Sequence, residues 1–154
     1  MGPNPTDRAK NGTKRSALTE GSGGPLAVVV AAANVHDTKL LDATIKALVV
    51  KRPDPAKVPQ HLCLDKGYDN PTGELAIAEH SYIAHIRRIG EEKFDETKER
   101  RYPARRWVVE RLHAWLSRCR GILVRYEKKA ENYLGLIQLA CALLWYRKLV
   151  YRSF

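Results

Sequence analysis

Residues 61–70 read HLCLDKGYDN: a short apolar run that reads as a strand, then an aspartate, then a turn built from Gly67, Asp69 and Asn70. A carboxylate is costly to bury unless a cation or hydrogen-bond donors meet it, so Asp65 at the end of a strand calls for a reason. Two readings stand open. Asp65 caps the turn DKGYD through the backbone, as aspartates commonly do. Alternatively, it presents its charge at the carboxyl end of a strand, where open α/β sheets gather their functional groups. A calcium loop is excluded, because Gly67 and Asn70 stand where such a loop needs a ligand and its glycine.

Outward from this stretch the sequence falls into alternating elements. Upstream, residues 1–15 (MGPNPTDRAKNGTKR) are Pro, Gly and charge without hydrophobic period and are expected to form an exposed arm. Residues 16–154 form the folded domain. RSALTEGSGGPLAVVVAAAN reads as two strands around the turn EGSGG, the second almost continuously apolar. In HDTKLLDATIKALVV, Leu40, Leu41, Ile45, Leu48 and Val49 recur at helical spacing, with Asp37 as the expected N-cap and Pro53 as the stop. Downstream, NPTGELAIAEH predicts a helix capped by Asn70 with Pro71 at its first position, and SYIAHIRR a strand. Residues 89–104 read as a mobile polar loop. Two helices follow, over 105–126 and 130–151. The order predicts a mixed α/β layer fold.

The chain has 154 residues, 44% of them hydrophobic, which suits one globular domain. Lys+Arg 27 against Asp+Glu 17 gives a net charge of +10, favouring polyanionic partners. Residues 98–129 hold eleven Lys/Arg against three acids, +8 of that total, so this segment is the expected polyanion face. Its aromatics, Tyr102, Trp107, Trp115 and Tyr126, interleave with arginines, a pattern that serves base stacking or ordinary helix packing. Cys63, Cys119 and Cys141 are odd in number and widely spaced, which argues against a disulfide framework or structural zinc and fits a reducing, cytoplasmic setting. No membrane is expected: the most apolar run, residues 133–146, is broken by Gln138 and too short to span a bilayer.

The first helix after the loop carries an apolar stripe of Val108, Leu112, Trp115, Leu116, Cys119, Ile122 and Leu123. On its other side Glu110 shares a face with the small residues Ala114, Ser117 and Gly121, which admits a close approach by a sheet edge or a nucleic-acid backbone. A surface pair with Arg106 one turn earlier is the alternative use of Glu110. Taken together, Asp65 at a strand end and Glu110 on a later helix can converge on Mg²⁺, which prefers hard oxygen ligands and leaves positions open for phosphate.

The segments LCLDKGYD and RRWVVERLHAWLSRCRGILVRYEKKAENYLGLIQLACAL, with GPNPTDRAKNGTKRS and PLAVVVAAANVHD upstream, resemble the carboxyl part of DDE transposases of bacterial insertion sequences. The resemblance implies an RNase H-like mixed sheet with flanking helices, two Mg²⁺ ions, and phosphodiester hydrolysis and strand transfer at transposon-end DNA. It makes Asp65 and Glu110 the second aspartate and the glutamate of the metal-binding triad. In the family the first aspartate lies on a first strand upstream of the arm, so the fold is expected to lack that strand and the isolated chain to be inactive. Arg106 matches the signature arginine four residues before the glutamate. Tyr102 falls one position early, Ser117 occupies the lysine place, and Arg118 stands beside it; Arg106 and Arg118 are the candidate DNA contacts. His36 and Asp37 match an HD pair of the family, although a helix cap accounts for Asp37. The expected function is a truncated or split transposase, partnered by itself or by an upstream fragment. The alternative is a non-catalytic DNA-binding protein that competes or dimerises with an intact transposase.

Overall fold

A computed structural model describes residues 1–86 and 106–151 of the chain. The segment 89–104, read from sequence as a loop, lies outside the described residues. The order is β1 (Gly2–Pro3), β2 (Asn11–Thr19), β3 (Pro25–Ala32), α1 (Asp37–Lys46), β4 (His61–Leu64), a 3-10 turn (Lys66–Tyr68), α2 (Pro71–Glu79), β5 (Ile83–Ile86), α3 (Arg106–Ser117), α4 (Arg120–Leu123) and α5 (Ala130–Tyr151). This is the mixed α/β architecture expected, consistent with an RNase H-like fold.

β2 and β3 form an antiparallel hairpin, with Thr13 opposite Ala32 and Leu18 opposite Ala27. The turn between them is held by Glu20, whose carboxylate accepts from the backbone N–H groups of Ser22 (2.7 Å) and Gly24 (2.8 Å). Gly23 has φ +97°, a left-handed conformation that side chains disfavour, and a Cβ there would meet the Arg111 guanidinium at 2.5 Å. β2 starts inside the segment expected to be an arm: Gly2 and Pro3 fold back onto Gly12 and Asn11, so backbone pairing orders a stretch that has no apolar pattern.

α1 begins one residue earlier in its cap than expected. His36, not Asp37, is the N-cap: its Nδ1 accepts from the Thr38 N–H at 3.4 Å and meets the Thr38 hydroxyl at 2.8 Å. Asp37 is the first helical residue, where its charge favours the helix N-terminus, and it pairs with Lys14 at 3.1 Å. The helix stops at Lys46, so Leu48 and the exposed Val49 fall beyond it. α2 is capped as expected, Asn70 accepting from Gly73 N–H at 3.0 Å behind Pro71. β4, α2 and β5 make a parallel βαβ unit, with His61 opposite Ile83 and Leu64 opposite Ile86.

The single helix expected over 105–126 is broken. α3 ends at Ser117, Cys119 is extended, and α4 restarts at Arg120. The break turns Ile122 into the core, where it is 1% exposed and its carbonyl accepts from the Tyr133 hydroxyl at 2.7 Å. An unbroken helix would have kept Cys119 and Leu123 on the inward stripe; both are exposed instead. Gly121 therefore does not extend the Glu110 face. A Cβ on it would meet Leu136 at 3.1 Å, so it lets α4 close on α5.

The apolar interior is divided. One cluster joins Val28 of β3 to Leu112, Leu116, Ile122, Tyr133, Ile137 and Cys141 of α3, α4 and α5. The other joins Leu41 and Ile45 of α1 to Leu62 of β4 and Ala76 and Ile77 of α2. Although the 22-residue α5 is long and apolar enough to cross a membrane, it packs here on β3 and α3, and Trp145 donates to the Pro25 carbonyl at 2.7 Å. Lys148 near its end pairs with Glu20.

Two expected outcomes test this packing. In urea titrations Tyr133→Phe, which strands the buried Ile122 carbonyl, should cost about 1–3 kcal/mol. Ile137→Ala should cost about 2–5 kcal/mol, whereas Leu139→Ala on the exposed side of α5 should cost well under 1 kcal/mol; equal costs at 137 and 139 would mean that the inward face of α5 is wrongly assigned. The second outcome concerns Glu20. Burial pushes its carboxyl up, but Lys148, the Ser22 hydroxyl and the N–H groups of Ser22 and Gly24 outweigh this and hold it down to about 2, from an ordinary value of 4.5. A depressed folded-state value stabilises the protein above the unfolded value and ceases to do so as pH falls toward about 2. The stability gap between the native chain and Glu20→Gln should therefore be widest above pH 5 and shrink steadily on acidification; a gap independent of pH would contradict the assigned contacts.

Candidate active site

Among the described residues, a cavity of about 570 Å³ is bordered by residues of both apolar regions. Elements distant in sequence line it: β2 and its turn, α1, β4 and the residue after it, and the first half of α3. Asp65 and Glu110 both border this space.

Asp65 reaches it because β4 ends one residue earlier and the chain turns at once. Its Oδ1 accepts from the Lys66 N–H at 2.8 Å, and its carbonyl accepts from Tyr68 N–H at 3.0 Å, closing the 3-10 turn. The capping reading of Asp65 therefore holds, and the capped residue borders the cavity. Glu110 reaches the same space from α3, whose opposite face seats Val108, Leu112 and Leu116 in the core at 4%, 0% and 1% exposure. Helical spacing therefore fixes where the glutamate stands.

Four neighbours were not assigned to this place from sequence. Asp37 borders the cavity from the start of α1. The Tyr68 phenol is pushed up to about 12, first by burial and then by the negative charges of Asp37 and Asp65, which puts both acids within electrostatic reach of it. Arg15 of β2 also lines the space: its Nη2 donates to the Ser117 hydroxyl at 3.4 Å, while its buried Nη1 has no hydrogen-bond partner among the described residues. Beside it, burial and then the Arg15 charge hold the His113 imidazole below its ordinary value. The sequence carried no signal for Arg15, because a cation on a strand reaches Ser117 only through tertiary packing.

The candidate DNA contacts are placed less centrally. Arg106 opens α3, and its side chain lies outside the described residues. Arg118 is exposed at the break after α3 and does not border the cavity. Within the aromatic–arginine segment, Arg111 packs against two of the rings, while Trp107 and Tyr126 are themselves largely exposed. The Arg111 guanidinium lies 4.8 Å from the Trp107 ring and 4.9 Å from Trp115 and donates to the Ser22 carbonyl at 2.8 Å. Arg125 lies 5.3 Å over Tyr133 and donates to Thr13 Oγ1 at 2.8 Å. These two arginines are spent within the fold rather than offered to a polyanion.

For a divalent metal, the donor set fits in kind. Two carboxylates from different elements border one cavity, and hard oxygen donors are what Mg²⁺ or Mn²⁺ takes. Among the described residues no group of three or more His, Cys, Asp or Glu side chains comes together tightly enough to hold an ion on its own. Asp65 and Glu110 thus fit as part of a metal site rather than as the whole of one.

Comparisons with known proteins identify the family. The family model described as the transposase DDE domain matches residues 2–145. The inferred transposase for insertion sequence element IS402 of Burkholderia cepacia is 33% identical over 151 residues, covering 96% of this chain and 69% of that protein. No solved structure matches significantly. The family uses divalent metal and acts on DNA. With the match spanning nearly all of its length, the chain belongs to the DDE transposase family of insertion sequences.

Proposed function

We propose that the chain carries two of the three metal-binding carboxylates of a transposase catalytic domain, Asp65 and Glu110, and acts at transposon-end DNA once the third carboxylate is supplied from an upstream strand. The observation that supports this reading is that the end of β4 and the middle of α3, far apart in sequence, deliver acids to one cavity. Asp65 and Glu110 would hold Mg²⁺, and bound divalent metal supplies polarisation of the scissile phosphodiester and of the attacking oxygen. Arg15 lines the same cavity with a buried N–H lacking a partner, and would be suited to neutralise a non-bridging phosphate oxygen there. In hydrolysis a water oxygen bonds to phosphorus, the P–O bond to the leaving strand breaks, and the leaving oxygen takes up a proton. In strand transfer a DNA hydroxyl replaces the water. We place this activity on DNA in the bacterial cytoplasm.

A polypeptide of residues 1–154 alone should nick a labelled transposon-end duplex orders of magnitude more slowly than one extended upstream through an aspartate-bearing strand. A site with fewer carboxylates leaves one of the reacting oxygens unsupported. The extended chain should require Mg²⁺ or Mn²⁺ and lose nicking on Asp65→Ala or Glu110→Ala; nicking that survives both substitutions would show that other residues carry the chemistry. A chain that binds DNA with no metal-dependent nicking in either length would instead be a non-catalytic competitor of intact transposase.

Binding itself should be sensitive to salt and largely independent of sequence, because the positive charge is concentrated in residues 98–129. Arg106→Ala and Arg118→Ala should each weaken binding alike on all duplexes and lower the salt slope by about 1. Unchanged affinity and slope in both variants would remove them from the DNA face.

A further inference from the structure

Two histidines meet across the parallel pair of β4 and β5, at the end of β4 away from Asp65. The His61 Nδ1 lies 2.7 Å from the His85 Nε2, with ring centroids 4.9 Å apart and ring planes tilted by 36°. The register explains the meeting. His61 stands opposite Ile83 and Cys63 opposite His85, so the two histidines are diagonal neighbours across the strands. Side chains alternate along a strand, so His61 and Cys63 share one face of β4, while Leu62 and Leu64 turn the other way and pack with α1 and α2. His61 is exposed and His85 half-buried, so the pair is reached from solvent. At this separation one ring nitrogen carries a proton and the other a lone pair. Burial, then the charge of His61, hold the His85 imidazole below its ordinary value, so at neutral pH the pair keeps a lone pair to offer a cation.

We propose that His61 and His85 form a binding site for a divalent transition ion of the nickel and copper kind, in which the ion takes the place of the proton between the two rings. Imidazole nitrogen suits such ions, whereas Mg²⁺ prefers hard oxygen ligands. The separation of the rings selects among them. Two nitrogens about 2.0–2.1 Å from an ion stand about 2.9 Å apart at the right angle of a square-planar or octahedral site, and about 3.3 Å apart at a tetrahedral angle. The observed 2.7 Å is nearer the first, so nickel or copper needs the smaller movement of the two strands and tetrahedral zinc the larger. Among the described residues no group of three or more His, Cys, Asp or Glu side chains comes together tightly enough to hold an ion, so the two imidazoles are the ligands drawn from those residues and water fills the other positions. Although His61 borders the cavity, its site is separate from the acids. His61 and Asp65 are four residues apart along an extended strand, roughly 13 Å, which is too far to share one ion. The bound ion links β4 to β5 upstream of the turn that carries Asp65. None of this depends on the catalytic reading of Asp65 and Glu110.

The test is a Ni²⁺ titration of the untagged 154-residue chain in excess Mg²⁺, without DNA, read by calorimetry and by amide hydrogen exchange. One ion should bind per chain, and exchange should slow in residues 61–64 and 83–86 together, because the ion holds both strands. His61→Ala and His85→Ala should each lower the affinity on the order of tenfold or more and remove the joint protection. Should either alanine variant fail to fold, His61→Asn and His85→Asn take their place with the same expected loss. Asp65→Ala should leave Ni²⁺ binding unchanged. Absence of Ni²⁺ binding in excess Mg²⁺, binding that survives both histidine substitutions, or protection of one strand alone would overturn the site. Loss of binding with Asp65→Ala would overturn its separateness, because the ion would then sit among the acids. Loss with Cys63→Ser would overturn the two-imidazole ligand set, since Cys63 stands opposite His85 on the same face.

Discussion

The candidate site depends on how β2 and β4, which belong to separate sheets, are held against each other. β2 pairs with β3 and β4 with β5, and residues of both β2 and β4 border one cavity. Much else follows from that geometry. The apolar interior forms two clusters rather than one, and α1 is what ties them together. Thr44 on α1 donates to the Leu40 carbonyl at 2.7 Å and meets the Ser16 hydroxyl of β2 at 2.7 Å, while Leu41 and Ile45 of the same helix pack on Leu62 of β4. The helix thus holds the two sheet fragments in place across the gap. The acids that border the gap are held from outside it, by a capped turn and by a helix whose opposite face is buried.

The turn between β2 and β3 has a similar economy. Glu20 shapes the turn through two backbone N–H groups and pairs with Lys148 of α5, while Arg111 of α3 and Trp145 of α5 donate to carbonyls of the same turn and its exit. α3 and α5 are therefore docked on the hairpin by polar contacts as well as by the core around Leu112 and Ile137. These contacts fix one side of α5, a helix long and apolar enough in composition to suggest a membrane span.

Much of this was legible in the sequence where local chemistry decides structure. Asn70 with Pro71, the EGSGG turn, the apolar run of β3 and the strand before Asp65 all follow from short-range rules, and the structure follows them. The misreadings arose where tertiary contacts prevail. Periodicity carried α3 through to residue 126, but the gain from burying Ile122 and bonding its carbonyl to Tyr133 breaks the helix at Cys119. Asp37 looked like a cap, whereas the His36 ring takes that role and frees Asp37 to pair with Lys14. At the site, strand-end and helix-face positions made Asp65 and Glu110 candidates, each with an ordinary alternative, and it was the family resemblance that gave them metal-binding roles. Arg15 and Asp37 were not, because their approach to the cavity depends on how β2 and α1 pack, which no local pattern encodes.

The central claim is that Asp65 and Glu110 serve one metal ion. Mn²⁺ titration followed by amide NMR tests it directly, because paramagnetic broadening falls off steeply with distance from the ion. The account predicts that the amides of Lys66 and Arg111 broaden together over the same Mn²⁺ range, and that Asp65→Ala and Glu110→Ala each abolish both effects. Broadening of one amide without the other, or loss of each only with its own neighbouring acid, would show two unrelated carboxylates and contradict it.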